Sequence, residues 1–192
     1  MHLLRVDRNP MMGPVTGPSA TIACFGCGAV VPDIDGPTHA YIPSAPGCWQ
    51  LFGEVLAAEF SDPARWPVHQ LTVDTYAVQH PSTDRRGRQS VALHLMGLCL
   101  QLEHDLPARG IPPLRAAHLA RHRDGGFPEL VPHLVGYPHT VTDVVGAACP
   151  YTHRARVRRW AESTWEAWGP HHGQVREWAL RDLRAPADVP DP

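Results

Sequence analysis

The segment QSVALHLMGLCLQLEHD, residues 89–105, is apolar nearly all the way round when it is drawn as an α-helix. Apolar side chains occupy both of its sides: Val91, Leu95, Leu98 and Leu102 on one, Leu93, Met96 and Leu100 on the other. A helix that lacks a broad polar face is a buried helix. The segment therefore predicts the central helix of a mainly α-helical bundle.

Segments with helical periodicity lie on both sides of this centre. We predict helices over residues 48–60, 67–80, 113–122 and 153–183, and a short helix over 140–148. Gly169-Pro170 should break or kink the last long helix, and Thr140 with Asp143 resembles a capping box. We expect four tryptophans of the last helix in the core: Trp160, Trp165, Trp168 and Trp178. Few or no strands are expected beyond a small hairpin around residues 21–31.

Length and composition bound the class of protein. The 192 residues fit one domain, and a hydrophobic fraction of 43% is enough for a core. We predict a disordered lead-in over 1–20, a single zinc-binding helical domain over 21–184 and a disordered tail over 185–192. A net charge of −2 makes nucleic acid an unlikely partner. Without an apolar run of membrane length or a signal peptide, a cytoplasmic location is the default expectation.

The irregular segment before the helices carries Cys24-Phe-Gly-Cys27-Gly28. Two thiolates that are two residues apart can bind one tetrahedral metal ion. Cys48 is the natural third ligand, because it begins a predicted helix whose N-terminus favours a thiolate. His39, in the loop between them, completes a predicted Cys3His zinc site, with His80 and His94 as alternative fourth ligands. A redox-active Cys pair and a plain buried thiol at Cys48 are the alternatives.

The histidines on the predicted helices suggest a second site. His80 ends a helix just before Pro81, and His94 lies on the buried central helix. If these two converge with His172, supported by Asp74 or Glu103, they form a catalytic metal site with an open position. The competing interpretation is that they are ordinary hydrogen-bonded histidines.

No known catalytic motif decides the function. The chain lacks GxSxG, HExxH, GxGxxG and phosphate-loop patterns, and all 17 of its basic residues are arginine. One hypothesis is a metal-dependent enzyme that acts on a small-molecule ligand through the helix histidines. The other is a non-enzymatic, zinc-stabilised interaction or regulatory module, for which a homo-oligomer is one form. Whether the protein is an enzyme stays open at this stage.

Several motifs resemble a known family. In order they are Cys24-Phe-Gly-Cys27-Gly28, Asp35-Gly36-Pro37-Thr38-His39, Pro46-Gly47-Cys48-Trp49, His69 to Asp74, Tyr76 to Pro81 and Gln89 to Leu95. Together they are similar to a family of small bacterial proteins, domain of unknown function 5946. The resemblance implies no activity, but it implies that the Cys, Asp-Gly-Pro-Thr-His and Gln-His-Pro elements share one site.

Overall fold

The computed structural model describes residues 20–122, 126–133 and 136–184, and within them the protein is mainly α-helical, as predicted. The strands are β1 (Thr21–Ala23) and β2 (Val30–Pro32). The helices are α1 (Pro46–Ser61), α2 (His69–Gln79), α3 (Arg85–Leu102), α4 (Ile111–Arg121), α5 (Pro150–Ala167) and α6 (His172–Arg184). The predicted tail and all of the predicted lead-in except Ala20 lie outside the described residues, so the domain limits stay a prediction.

The irregular N-terminal segment contains the small hairpin. β1 and β2 pair antiparallel, with Ile22 opposite Val31. The Cys24 N–H closes the turn by donating to the Ala29 carbonyl oxygen over 2.8 Å. Val31 is buried in the core, so apolar contact attaches the hairpin to the helices.

Helix α3 is the centre of the bundle, as its sequence predicts. It contacts α2, α4, α5 and α6. It begins one turn before the predicted residue 89, because Asp84 caps it: one carboxylate oxygen accepts hydrogen bonds from the Arg86 and Gly87 N–H groups at 2.7 and 3.0 Å. Apolar periodicity did not reveal this start, since the first turn is rich in arginine.

Helix α2 lies against α3 and α5 and is buried on nearly every side. A 3-10 turn over Trp66–Val68 leads into it, and it ends at Gln79, two residues before Pro81. Its C-cap, His80, leaves the helical conformation with φ −125° and ψ 61°. That departure turns the His80 side chain away from the helix axis and toward the hairpin.

The C-terminal helical stretch is divided at Gly169-Pro170, as predicted. Helices α5 and α6 are joined by a 3-10 turn over Gly169–His171. The four tryptophans of this stretch are buried, and Trp160 and Trp168 are fully so. Their predicted place in the core is confirmed.

The predicted short helix over residues 140–148 is reduced to one turn. The capping box of Thr140 and Asp143 is present, but the 3-10 turn that it opens ends at Asp143. Gly146 has a φ of +68°, which an α-helix does not accommodate. Among the described helices, none combines the length and the apolar character needed to cross a membrane.

Candidate metal centre

Four buried side chains from three parts of the chain meet at one point. Cys24 and Cys27 come from the hairpin turn, Cys48 from the first turn of α1, and His80 from the end of α2. Their ligand atoms all lie within 4.8 Å of one another, and none of the four residues is more than 2% exposed. The arrangement is suited to hold a metal ion.

The measured distances describe a tight cluster. His80 Nε2 lies 3.5 Å from Cys24 Sγ and 3.4 Å from Cys48 Sγ. Cys27 Sγ lies 3.8 Å from Cys48 Sγ. These atoms therefore surround a common centre rather than forming separate pairs.

Two glycines allow the three parts of the chain to approach. A Cβ atom at Gly26, between the hairpin cysteines, would overlap the His80 ring and lie 2.7 Å from the Pro43 carbonyl oxygen. A Cβ atom at Gly47 would overlap the Pro32 carbonyl oxygen, where α1 starts against β2. The glycines at these positions are therefore required by close contact and not by backbone flexibility.

Further hydrogen bonds orient the candidate ligands. The Ala45 N–H donates to Cys24 Sγ at 3.4 Å, and the Tyr76 hydroxyl donates to Cys48 Sγ at 3.6 Å. The His80 Nδ1–H donates to the Tyr76 carbonyl oxygen at 2.7 Å, which leaves Nε2 as the nitrogen that faces the thiols. Partners of this kind fix the orientation and tautomer of metal ligands.

Crowding of ionisable groups changes their proton affinities. Hydrogen bonds from Cys27 and Cys48 lower the pKa of Cys24, whereas the hydrogen bonds of Cys48 to Cys24 and Cys27 raise the pKa of Cys48. Burial alone would lower the pKa of His80, but hydrogen bonds to Cys24 and Cys27 raise it to about 9. The cluster thus favours negative charge on the Cys24 sulfur and disfavours it on the Cys48 sulfur. A cation at its centre would favour the thiolate form of all three cysteines and release the remaining protons.

His39, the fourth ligand expected from the sequence, does not lie beside the three thiols. The structure brings His80, and not His39, to the three thiols. The His39 ring packs edge-on against Tyr41 and near Trp49, with centroid distances of 4.4 and 5.5 Å, and its Nδ1 accepts from the Tyr41 N–H at 3.4 Å. Its position in the loop between the cysteines suggested His39, whereas the end of α2 supplies the fourth candidate ligand, His80.

The structure places His80, His94 and His172, which the sequence suggests as one site, in three different surroundings. His80 belongs to the thiol cluster, and His94 Nδ1 lies 2.7 Å from Asp74 Oδ1. His172 stacks on Trp165 with centroids 3.8 Å apart and bonds the Trp165 carbonyl oxygen. Within the described residues, no group of three candidate metal ligands includes His94, His172 or Asp74.

A second group, Cys99, Glu103 and His104, also has its ligand atoms within 4.8 Å. Both Glu103 oxygens, however, are paired with the Arg176 guanidinium, at 2.7 Å each, and one also accepts from the Trp165 indole N–H. The Arg176 hydrogen bonds, the first of several causes, lower the pKa of Glu103 to about 2. Glu103 therefore has a structural partner that a cation would have to displace.

Sequence reasoning missed a buried charge network around Glu59 of α1. Its two oxygens lie 2.8 Å from His69 Nδ1 and 2.8 Å from His153 Nε2, and the Thr72 hydroxyl donates to it at 2.6 Å. The polar residues are spread over 94 positions of sequence, so no local pattern could reveal them. A glutamate on the otherwise apolar stripe of α1 was the available signal.

Comparison with known proteins gives one match. No curated protein and no solved structure matches the chain. The sequence profile described as "Family of unknown function (DUF5946)" matches residues 22–169. That range contains all four residues of the thiol–imidazole cluster and most of the helical bundle. The chain belongs to this family of unknown function.

Proposed function

We propose that the protein binds one zinc ion through Cys24, Cys27, Cys48 and His80, and that this zinc is structural. The observation that carries the proposal is the spacing of the ligand atoms. A regular tetrahedron with Zn–S bonds of about 2.3 Å and a Zn–N bond of about 2.0 Å has S···S edges of about 3.8 Å and S···N edges of about 3.5 Å. The corresponding distances here are 3.8, 3.5 and 3.4 Å.

The chemistry of the donors favours zinc over the harder divalent cations. Three thiolates and one imidazole suit zinc, whereas magnesium, calcium and manganese prefer carboxylate, carbonyl and water oxygens. Within the described part of the chain, the cluster contains no carboxylate. A reducing compartment such as the cytoplasm would keep the three thiols available for the metal.

A structural role follows from the number of ligands. Four protein ligands complete a tetrahedral zinc site, whereas catalytic zinc sites usually have three and keep one position for water or substrate. The burial of all four residues supports the same conclusion, because it leaves no path for substrate to the metal. The metal-dependent enzyme hypothesis therefore has no support at this centre.

The benefit of the metal is to attach the hairpin to α1 and α2. The hairpin strands have three residues each, and too little of their surface is buried to hold them alone. Structural zinc contributes an apparent binding free energy of about 10–16 kcal/mol at neutral pH. We expect the metal-free protein to lose the hairpin and the first turn of α1 before it loses the bundle.

Metal analysis of two cysteine variants tests the proposal. Purified wild type should contain about one zinc per chain, a stoichiometry set by the single four-ligand site. Cys24→Ser should contain almost none, while Cys149→Ser, which changes an exposed cysteine that caps α5, should match wild type. Wild type without zinc, or equal zinc loss in both variants, would disprove the assignment.

A second candidate function, a homo-oligomeric interaction module, has one specific observation in its favour. Phe25 lies between the two hairpin ligands and is 73% exposed, and Ile22 and Val30 of the same hairpin are also exposed. Exposed aromatic anchors are typical of interfaces. Sedimentation velocity would show self-association in wild type that Phe25→Ser abolishes without loss of metal; a wild type that stays monomeric at high concentration would exclude this candidate.

A further inference from the structure

A cavity of about 350 Å³ opens beside the N-terminal half of α3. Tyr41, from the loop before α1, lines one side of it. The other five lining residues come from α3 at helical spacing: Arg86, Gln89, Ser90, Leu93 and His94. This volume lies at the lower end of the range for small-molecule sites. None of these residues belongs to the thiol–imidazole cluster.

The stripe of α3 that lines the cavity is polar, although the rest of the helix is the apolar centre of the bundle. It presents a guanidinium, an amide, a hydroxyl and an imidazole to the same space. Ser90 is buried and Gln89 and His94 are partly buried, whereas Arg86 is exposed at the mouth of the cavity. Buried and partly buried polar side chains are unfavourable unless they have hydrogen-bond partners. A ligand with several hydrogen-bond acceptors would provide partners for the donors of this stripe.

Among the residues that line the cavity, His94 is held by a buried carboxylate. Asp74 is fully buried on α2, and its Oδ1 accepts from His94 Nδ1 at 2.7 Å. Gln70 and Gln101 donate to Asp74 at 2.9 and 2.8 Å, and Arg115 of α4 forms a short ion pair with it. Burial raises the pKa of Asp74, but the Arg115 charge and the His94 hydrogen bond bring it below its usual value.

This network determines which nitrogen of His94 serves the cavity. Because the ionised Asp74 can only accept, His94 Nδ1 carries a proton, and Nε2 is the nitrogen available to a ligand. Gly97 makes room for the network, since a Cβ there would overlap the Asp74 carboxylate and the Arg115 guanidinium. Three helices thus contribute to the placement of one imidazole.

We propose that this cavity binds a small molecule that carries an oxyanion group, a carboxylate or a phosphate, with Arg86 pairing with the oxyanion and His94 Nε2 bonding the same molecule. Arg86 is suited to this task because a guanidinium offers paired donors that match the two oxygens of such a group. Gln89, Ser90 and Tyr41 add side chains that can donate to further oxygen atoms. Asp74 is the positioning residue that fixes the His94 ring.

The experiment uses the 192-residue protein as purified, labelled with ¹⁵N at histidine. Its probes are inorganic phosphate and succinate, titrated separately at constant ionic strength and pH while the His94 ring signals are followed by NMR. Without probe, His94 should show the tautomer with the proton on Nδ1, which Asp74 imposes. With probe, the Nε2 signal should shift and saturate; a response to phosphate alone or to succinate alone supports the site and identifies its oxyanion.

Two neighbouring arginines provide a matched pair of variants. Arg86 lines the cavity, whereas Arg85 precedes it in the same helical turn and does not. Arg86→Gln should weaken binding about tenfold or more, as expected for loss of a charge-assisted pair, and Arg85→Gln should leave it unchanged. If neither anion shifts His94 saturably, or if both variants weaken binding equally, the proposal is overturned, because the effect is then absent or only general surface attraction.

Discussion

His80 donates its Nδ1–H to the carbonyl oxygen of Tyr76, one helical turn earlier, over 2.7 Å. The same ring places Nε2 3.5 and 3.4 Å from the sulfur atoms of Cys24 and Cys48. The end of α2 therefore supplies the hydrogen bond that directs the imidazole nitrogen Nε2 toward the thiols. This relationship explains why the fourth candidate ligand is at the end of a helix and not in the loop between the cysteines.

Alanine substitutions should distinguish His80 from His39 as the fourth ligand. His80→Ala removes the fourth donor of the site. Loss of a group that only hydrogen-bonds to a ligand lowers metal affinity by up to about 100-fold, so loss of the ligand itself should lower zinc affinity by more than that. His39→Ala should bind zinc as wild type does, because His39 contacts Tyr41 and Trp49 instead. Competition with a chromogenic chelator measures both, and the reverse order of affinities would refute the assignment.

The Tyr76 hydroxyl should strengthen zinc binding without being required for it. Tyr76→Phe removes the donor to Cys48 Sγ but keeps the ring that stacks on Phe52 with centroids 3.8 Å apart. We expect roughly 10-fold weaker zinc binding and a folded protein. Tyr137→Phe is the control, since the Tyr137 hydroxyl donates to the Val78 carbonyl oxygen and not to sulfur; equal zinc affinities of the two variants would contradict this role.

The buried network at Glu59 should matter for stability and not for metal binding. Glu59→Gln leaves His69 and His153 without their carboxylate partner, so we expect a loss of about 2–4 kcal/mol in the free energy of unfolding. Glu54→Gln, on the exposed face of the same helix, should cost under about 0.5 kcal/mol. Urea unfolding of the zinc-loaded proteins measures both, and a Glu59→Gln variant as stable as wild type would show that the network contributes nothing.

Mild acid should destabilise the bundle through His118. Burial, the first of several causes, lowers the pKa of His118 from 6.5 to about 4, so between these values the unfolded chain binds the extra proton. Stability from the neutral ring is complete above pH 6.5 and falls as pH drops toward 4. Between pH 7.5 and pH 5, the free energy of unfolding of the wild type should fall by about 2 kcal/mol more than that of His118→Leu. Denaturant unfolding at the two pH values tests this, and a difference that is independent of pH would contradict it.

The sequence predicts the parts of the fold that depend on local pattern. The apolar circumference of residues 89–105 identified the central helix, and Gly169-Pro170 located the division between α5 and α6. Boundaries failed where a cap and not periodicity sets them, as at Asp84, or where a glycine stops the turn, as at Gly146. These are effects of single residues that a hydrophobic pattern does not record.

At the candidate metal site, too, local pattern predicts some residues, and others depend on how the helices pack. The spacing of Cys24 and Cys27 and the helix start at Cys48 predict three members of the cluster that the structure brings together. His80 was an alternative, because Pro81 ends its helix, but choosing it over His39 requires knowing that α2 ends beside the hairpin. Asp74 and His94 were both candidates from sequence, yet their direct hydrogen bond depends on the packing of α2 against α3.

X-ray absorption at the zinc edge tests the central claim most directly. The purified protein should show a first shell of three sulfur atoms at about 2.3 Å and one nitrogen at about 2.0 Å, together with the outer-shell scattering of a single imidazole. His80→Ala should remove the imidazole scattering and leave the sulfur shell. A first shell of oxygen and nitrogen only, or several imidazoles with fewer sulfur atoms, would contradict a zinc held by Cys24, Cys27, Cys48 and His80.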